Sequence, residues 1–358
     1  MKTQKQNGHG FTLLELMVSM ALGLIVMAAM TSLFKTGLNS TMLVTQRAET
    51  QQNMRAAIDL MVKDISMAGA GLPSGGIQLP AGAGSSTSKY ACDQTATCHV
   101  TTYTYPTGNY MYGIIPGYSN GVEANAVVPA APAPAVNDSI TSVYADYNFP
   151  LWEYTITFVA GSNGGQITLA PNAIYSPAPP AINSAGAIQV GDLIMLSNSL
   201  GTAVGEVTQP PTATGITFGN LDVLNINQSG AATNNIKAIS GGANTVAYRL
   251  FAVTYYLTVP AAGSGQTPRL MRQVNGLTPV AVADDIINLQ FGYDVYNSGA
   301  LDANQTNPLG VSESPNNIQK VNIVVMGQSI INNGNKSQNM YLATSVSARN
   351  MAFRNRYQ

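Results

Sequence analysis

The feature of this sequence that most constrains its fold is an apolar run close to the N-terminus. Residues 11–34 read FTLLELMVSMALGLIVMAAMTSLF and carry a single charge, on Glu15. At 1.5 Å per residue they form a helix of about 36 Å, long enough to cross a hydrocarbon core of about 30 Å. No later segment is apolar over such a length. The sequence therefore predicts one membrane-spanning helix.

The residues on either side of the apolar run predict its orientation and its fate. Lys2 and Lys5 precede it, which favours a cytoplasmic N-terminus and export of everything that follows. A secretory signal would carry a small-residue cleavage site after the run. The next residues, KTGLNSTMLVTQ, contain no such site and continue a helical pattern. We therefore expect the apolar segment to stay in the mature protein.

Glu15 is unusual because a carboxylate inside a membrane helix is costly unless it finds a partner. One explanation is a functional pairing. The other is a tolerated charge near the helix end, either protonated or reaching toward the interface. Taken alone, the residue leaves both explanations open.

An apolar stripe predicts that the helix continues beyond the membrane. Met54, Ile58, Met61 and Ile65 follow 4-3-4 spacing on an otherwise polar segment, and AGAGLPSGG then supplies stop signals. The sequence predicts a helix from Phe11 to Ala68, whose second half packs this stripe against a globular head.

The remainder of the chain has the composition of a β-rich head. Only 9% of residues are charged, against about 25% in soluble domains, and residues 73–140 are rich in Gly, Ala, Pro, Ser and Thr. We expect an α+β fold, with the long N-terminal helix packed on a mainly antiparallel β head. The predicted strands are Leu151–Val159, Ile188–Ser197, Ala203–Thr208, Thr245–Val259, Arg269–Val274, Ile286–Val295, Val321–Gly327 and Tyr341–Ala348.

The charge distribution argues against one class of partner. The formal net charge is −1, so the chain lacks the excess of basic residues that binds nucleic-acid phosphates. No direct nucleic-acid contact is therefore expected. The C-terminal tail is basic, with Arg349, Arg354 and Arg356. It is either solvated surface or a docking surface for an oppositely charged neighbour.

Cys92 and Cys98 are the only cysteines, and a close pair in an exported chain predicts a disulfide. His99 adjoins the pair, but the cysteine spacing is too long for ordinary c-type haem attachment. We therefore expect neither a metal nor another cofactor there.

Other candidate sites are weaker. Asp302, Asn304 and Thr306 alternate like calcium ligands, but they lack the glycine and glutamate of such loops, so LDANQTNP is predicted to be a polar turn. A group of tyrosines either forms an exposed patch or alternates along strands: Tyr103, Tyr105, Tyr110, Tyr112 and Tyr118. No nucleophile–base, zinc-protease or phosphate-loop pattern occurs, so an enzyme is not expected.

The run Gly10-Phe11-Thr12-Leu13-Leu14-Glu15, followed by the apolar helix, resembles the class III signal of type IV prepilins. The resemblance implies that a prepilin peptidase cuts between Gly10 and Phe11 and methylates the new amine of Phe11. It also implies that Glu15 pairs with the amine of a neighbouring subunit during assembly. Two charges that are each costly in lipid would then offset one another.

The C-terminal third is similar to the PilW group of minor pilins, which is related to the J-type pseudopilins of type II secretion. The similarity lies in RLMR at 269–272, VADDIINLQFGYD at 282–294 and ATSVSARN at 343–350. It implies a minor pilin that acts in filament initiation at the tip. The implied partners are other minor and major pilins, prepilin peptidase and the inner-membrane assembly platform.

The resemblance covers the N-terminal helix and roughly residues 245–358, and it implies an inner-membrane precursor with an exported head that later enters the pilus. A type II secretion pseudopilin, with the same N-terminal chemistry serving export, is one alternative. A membrane-anchored tip adhesin is another, motivated by residues 73–240, for which no resemblance is found. The expected organisation is a prepilin leader at 1–10, a transmembrane half-helix at 11–34, an amphipathic half-helix at 35–70, a Gly/Ala/Pro-rich β-containing region at 71–240 and a β-rich head at 241–358.

Overall fold

The fold is taken from a computed structural model, which describes residues 11–80, 110–117, 138–220, 222–227, 234–258, 268–297, 299–306, 314–331 and 336–354. The chain divides into two compact units. One comprises Met1–Glu49 with Ser329–Gln338, and the other comprises Thr50–Gln328 with Asn339–Gln358. The predicted organisation into five segments stays a prediction.

Helix α1 spans Leu13–Met67 and confirms the long N-terminal helix. In the second unit its apolar stripe is buried as predicted, with Met61 and Ile65 both 0% exposed. The helix ends at Met67, and Gly69, two residues further on, has a φ of +79°, a backbone conformation that favours glycine. The Gly69 N–H then donates to the carbonyl of Val143 at 2.8 Å, so the helix end is joined directly to a central strand.

The described residues form sixteen strands, which belong to the second unit except for the end of β15 and the start of β16. They are β1 Ile77–Gln78, β2 Tyr110–Met111, β3 Ile114–Gly117, β4 Ser139–Asp146, β5 Tyr154–Phe158, β6 Gln166–Pro171, β7 Leu193–Asn198, β8 Gly201–Glu206, β9 Gly215–Thr217, β10 Val246–Thr258, β11 Arg269–Val274, β12 Val280–Asp284, β13 Ile286–Asn297, β14 Ala300–Thr306, β15 Ile318–Ile331 and β16 Lys336–Ser347. Short helices lie at Ile236–Ile239 (α2) and Arg349–Arg354 (α3), with 3₁₀ turns at Leu151–Glu153 and Pro315–Asn317.

The strands form four sheets in the described part of the chain. The largest has the order β12-β11-β10-β4-β3, and β7 joins it by pairing with both β10 and β8. A second sheet has the order β14-β13-β15-β16, a third is β5-β6-β9, and β1 pairs with β2. Pairing is antiparallel, as in β10 with β4 and β13 with β15. This confirms an α+β fold with an antiparallel β head.

The main core lies between the second half of α1 and two sheets. The helix stripe packs with Phe291 and Tyr293 of β13, Val325 of β15 and Val253 of β10, all buried. The helix approaches β15 so closely at Gly327 that a Cβ there would lie 2.7 Å from the sulfur of Met54. Further apolar clusters lie elsewhere in the described part of the head.

Two predictions about the strands were wrong or incomplete. LDANQTNP is not a turn, because residues 300–306 form β14 and pair with β13 around a bulge. The predicted strand Leu151–Val159 begins instead with a 3₁₀ turn, and extended structure starts at Tyr154. The buried strand β4 begins at Ser139, just after the Pro/Ala-rich segment, and had not been predicted.

Candidate processing and assembly site

The N-terminus of α1 places Glu15 in a reciprocal capping arrangement with Thr12. The backbone N–H of Glu15 donates to Thr12 Oγ1 at 3.2 Å, and the backbone N–H of Thr12 donates to Glu15 Oε2 at 2.9 Å. The Thr12 hydroxyl also donates to the same carboxylate oxygen at 3.0 Å. This is a capping box, which satisfies two backbone donors at the helix start. The charged group is thereby held beside the end of the chain that cleavage would create.

The surface of α1 that follows Glu15 is apolar and uncovered within its own unit. The most apolar stretch of 18 residues has a mean hydropathy of 2.2 and contains no buried residue. Among the described residues, α1 is the one helix long and apolar enough to cross a membrane. The hydroxyls of Ser19 and Thr31 donate to the carbonyls of Leu16 and Met27, so neither is left unsatisfied in an apolar surrounding. The helix therefore fits a membrane anchor.

The structure describes only some of the other predicted site residues. Phe11 is 89% exposed. Gly10, Cys92 and Cys98 lie outside the described residues, as does His99. The cleavage site, the methylated amine, the role of Glu15 and the disulfide stay predictions.

A cluster of buried polar side chains joins α1 to the head. Asp64 is 3% exposed and accepts hydrogen bonds from Tyr144 Oη at 2.9 Å, Tyr255 Oη at 2.6 Å and Arg272 Nε at 2.8 Å. These donors lie on β4, β10 and β11, so a single carboxylate ties the helix to three strands. We call Asp64, Tyr144, Tyr255 and Arg272 the Asp64 cluster.

The electrostatics of the Asp64 cluster keep its donors protonated. Burial, and then the negative charge of Asp64, raise the pKa of both Tyr144 and Tyr255 well above the ordinary tyrosine value. Burial alone would lower the pKa of Arg272, but its hydrogen bond to Asp64 and the attraction between the two charges raise it overall. The two tyrosines and Arg272 therefore stay protonated across the physiological pH range and can all donate to Asp64.

A second buried ion pair braces the large sheet. Arg249 Nε on β10 donates to Asp146 Oδ2 on β4 at 2.8 Å, and its guanidinium lies over the rings of Phe149 and Phe251 at 5.5 and 5.3 Å. Burial raises the pKa of the neighbouring Asp192, although Arg249 and a backbone N–H favour its charged form. Each of these groups has partners inside the head, which indicates a structural role.

The calcium-like residues and the tyrosines that the structure describes do not form a common site. Asn304 lies on β14, and its backbone N–H donates to Asp294, whose carboxylate also pairs with Lys320 at 2.6 Å. No group of three His, Cys, Asp or Glu suited to a metal occurs among the described residues. Tyr110 and Tyr112 are stacked with centroids 5.8 Å apart, while the other three tyrosines lie outside the described residues.

Comparison with known proteins supports the N-terminal motif. A family model described as the prokaryotic N-terminal methylation motif matches residues 5–31. No curated protein and no solved structure matches the chain significantly. The matched segment includes the Gly10–Phe11 bond, the capping box and most of the apolar run. The motif indicates a type IV pilin-like or pseudopilin-like prepilin, which prepilin peptidase processes and the pilin assembly machinery handles. Together with α1 it indicates a membrane-anchored precursor.

Proposed function

We propose that this chain is a minor pilin of a type IV pilus that acts in filament initiation at the tip. The observation that carries the proposal is the methylation motif at residues 5–31 at the head of an apolar helix. The similarity of the C-terminal third to the PilW group supports a minor role over that of the major subunit. The proposal assigns the chain no catalytic role.

The architecture of the head supports a structural role. The second half of α1 is fixed to the head by an apolar stripe and by the Asp64 cluster. A force applied to the second half of α1 is therefore transmitted to β4, β10 and β11 through the Asp64 cluster. A subunit that is anchored through its helix and contacts neighbours through its head needs such a connection.

A type II secretion pseudopilin has the same N-terminal chemistry and remains an alternative function. The genes beside this one distinguish the two, because pilus and secretion operons differ. A membrane-anchored tip adhesin is the alternative of another class, and the unmatched region 73–240 motivates it. Unchanged surface binding by cells that lack this chain would argue against an adhesin.

Replacing Gly10 with alanine tests the proposal directly. We expect Gly10→Ala to leave the leader attached, since the implied peptidase recognises the glycine before the cut. The uncut chain is heavier by the mass of residues 1–10 and lacks the methyl group on Phe11, both of which intact-mass measurement detects.

Gly8→Ala is the matched control, because Gly8 lies in the same leader but not at the predicted bond. We expect it to be cleaved normally between Gly10 and Phe11. Mature wild-type protein that began at Met1 would contradict the proposed function.

A further inference from the structure

The sheet β14-β13-β15-β16 ends in an edge strand that lacks the usual protection. Strand β16 covers twelve residues, Lys336–Ser347, and pairs with β15 on one side only within the described part of the chain. Residues 337–348 contain no charged residue, no proline and no glycine. Natural proteins normally shorten, charge or interrupt an exposed edge because its unpaired backbone groups attract other strands.

Several other edge strands in the described part of the chain are shorter, interrupted or charged. Strand β14 is interrupted by a bulge in its pairing with β13, and Asn304 within it has a φ of +53°. Strand β3 has four residues and contains Pro116, and β12 has five residues and ends in Asp284. Strand β8 has six residues, half the length of β16. The contrast makes β16 the long open edge of the described fold.

One hydrogen bond fixes which backbone groups of β16 face outward. The Ala348 N–H donates to the carbonyl of Gln319, next to the start of β15, at 2.8 Å. Because N–H groups alternate sides along a strand, those of Ser345, Ala343 and Tyr341 point to the open edge. Their side chains also lie on the exposed face, and Tyr341 is 69% exposed. A strand docked on this edge would pair with these groups and contact that tyrosine.

The charge that follows β16 defines the chemistry of its partner. Exposed Arg349 comes directly after Ala348, so the uncharged edge along Tyr341–Ser345 leads to a basic residue. An added strand of the same character, with an acidic residue at the end beside Arg349, would meet a favourable charge there. A basic partner strand would meet repulsion.

We propose that β16 receives a strand from a neighbouring, different filament subunit, which extends the sheet by β-augmentation. The proposal rests on the proposed function, because assembly into a filament is what brings the head of another subunit alongside. Main-chain hydrogen bonds along Tyr341–Ser345 supply the pairing, and the lack of charge on these residues, next to Arg349, selects an uncharged strand that ends in an acidic residue.

Ser345→Pro tests the pairing with little disturbance of the fold. Proline removes the outward N–H of Ser345 and is tolerated on an edge strand whose N–H faces away from the sheet. We expect unchanged cleavage and thermal stability of the full chain, but about tenfold less of it in sheared filaments, since several interstrand hydrogen bonds are disturbed together. Ser345→Ala is the matched control and should incorporate normally.

A second variant keeps the test valid if Ser345→Pro fails to fold. Ala343→Lys leaves every backbone group in place but adds the charge with which natural edge strands repel partners. We expect the same loss from filaments. Normal incorporation of folded Ser345→Pro or of Ala343→Lys overturns the inference while leaving the proposed function intact. A wild-type chain that is never cleaved overturns the proposed function, and the inference with it.

A photo-crosslinking amino acid in place of Tyr341 identifies the occupant. In cells with intact filaments, the expected product is a covalent adduct with another filament subunit, identified by mass spectrometry. The same probe at Leu301, 54% exposed on the interrupted strand β14, is the control and should give little of that adduct. An adduct with a second copy of this chain, or equal yields at the two positions, contradicts the inference.

Discussion

Asp64→Ala is expected to lower the free energy of unfolding of the head by about 3 kcal/mol, the range measured when one partner of a buried ion pair is removed. The substitution leaves the guanidinium of Arg272 and the hydroxyls of Tyr144 and Tyr255 without their shared acceptor. Unsatisfied buried donors are costly because water cannot replace the lost bonds. In a domain of this size, the change lowers the melting temperature by roughly 5–10 °C.

Asp59→Ala is the matched control for that experiment. Asp59 lies on the same helix, but its side chain faces solvent, so we expect a change within about 0.5 kcal/mol. Asp64→Asn should fall between the two, since an amide oxygen still accepts from one tyrosine but gives no ion pair with Arg272. Thermal unfolding of the full chain in detergent, followed by tyrosine fluorescence, measures all three. Equal melting temperatures for Asp64→Ala and Asp59→Ala would show that the cluster does not fix the helix to the head.

The Asp64 cluster shows why the attachment of the helix was predictable but its chemistry was not. The apolar stripe could be read from spacing because Met54, Ile58, Met61 and Ile65 are close in sequence. The partners of Asp64 lie 80, 191 and 208 residues away along the chain, so no local pattern contains them. A signal was nevertheless present. Asp64 lies three residues after Met61, on the apolar face of the helix, where an acidic side chain needs a buried partner.

The strands show the same contrast between features that local sequence predicts and features that depend on distant residues. Strand β11 matches its prediction at both ends, because Gly- and Pro-containing sequence flanks RLMRQV on both sides. Strand β4 was missed because SITSVYAD contains Ser, Thr and Asp, which in isolation favour a loop. In the folded head every residue of β4 is buried, and Thr141 is hydrogen-bonded to Thr254 of β10 at 2.8 Å. Cross-strand partners, Thr254 for Thr141 and Arg249 for Asp146, make these two polar residues compatible with a central strand.

Strand β14 illustrates the opposite error, in which a segment rich in turn-forming residues was predicted to be a turn but forms a strand. LDANQTNP is rich in Asp and Asn, and Asn304 does adopt the left-handed conformation typical of turns. The Asp294 carboxylate on β13 accepts from the Asn304 N–H at 2.8 Å and from the Asn322 side chain at 3.1 Å. These hydrogen bonds stabilise the left-handed backbone at Asn304 within a bulge, so the segment stays in the sheet. Such compensation depends on neighbouring strands and cannot be derived from the segment alone.

The N-terminal site was recognised from sequence because its chemistry is local. The proposed cleavage site, Glu15 and most of the apolar run all lie within residues 5–31. The structure adds one fact that spacing did not provide, namely that Glu15 also caps its own helix through Thr12. Glu15 therefore has two candidate roles, helix capping and neutralisation of a neighbour's amine. These roles respond differently to substitution.

Glu15→Val is expected to insert into the membrane and to be cleaved, but to fall about a hundredfold or more in filaments. The loss corresponds to about 3 kcal/mol, since the amine of a neighbouring subunit would be left without a counter-charge in an apolar surrounding. Mass spectrometry of membrane and sheared-filament fractions, with total expression measured in parallel, gives both quantities.

Two further substitutions separate the roles of Glu15. Glu15→Gln keeps an oxygen that accepts from the Thr12 N–H but removes the charge. Thr12→Ala removes the capping hydroxyl at a cost of about 1 kcal/mol and leaves the charge in place. If neutralisation of the amine is the role of Glu15, then Glu15→Gln behaves like Glu15→Val, while Thr12→Ala assembles with a modest loss. The reverse order, in which Thr12→Ala is absent from filaments and Glu15→Gln is present, would show that the carboxylate acts by capping its own helix.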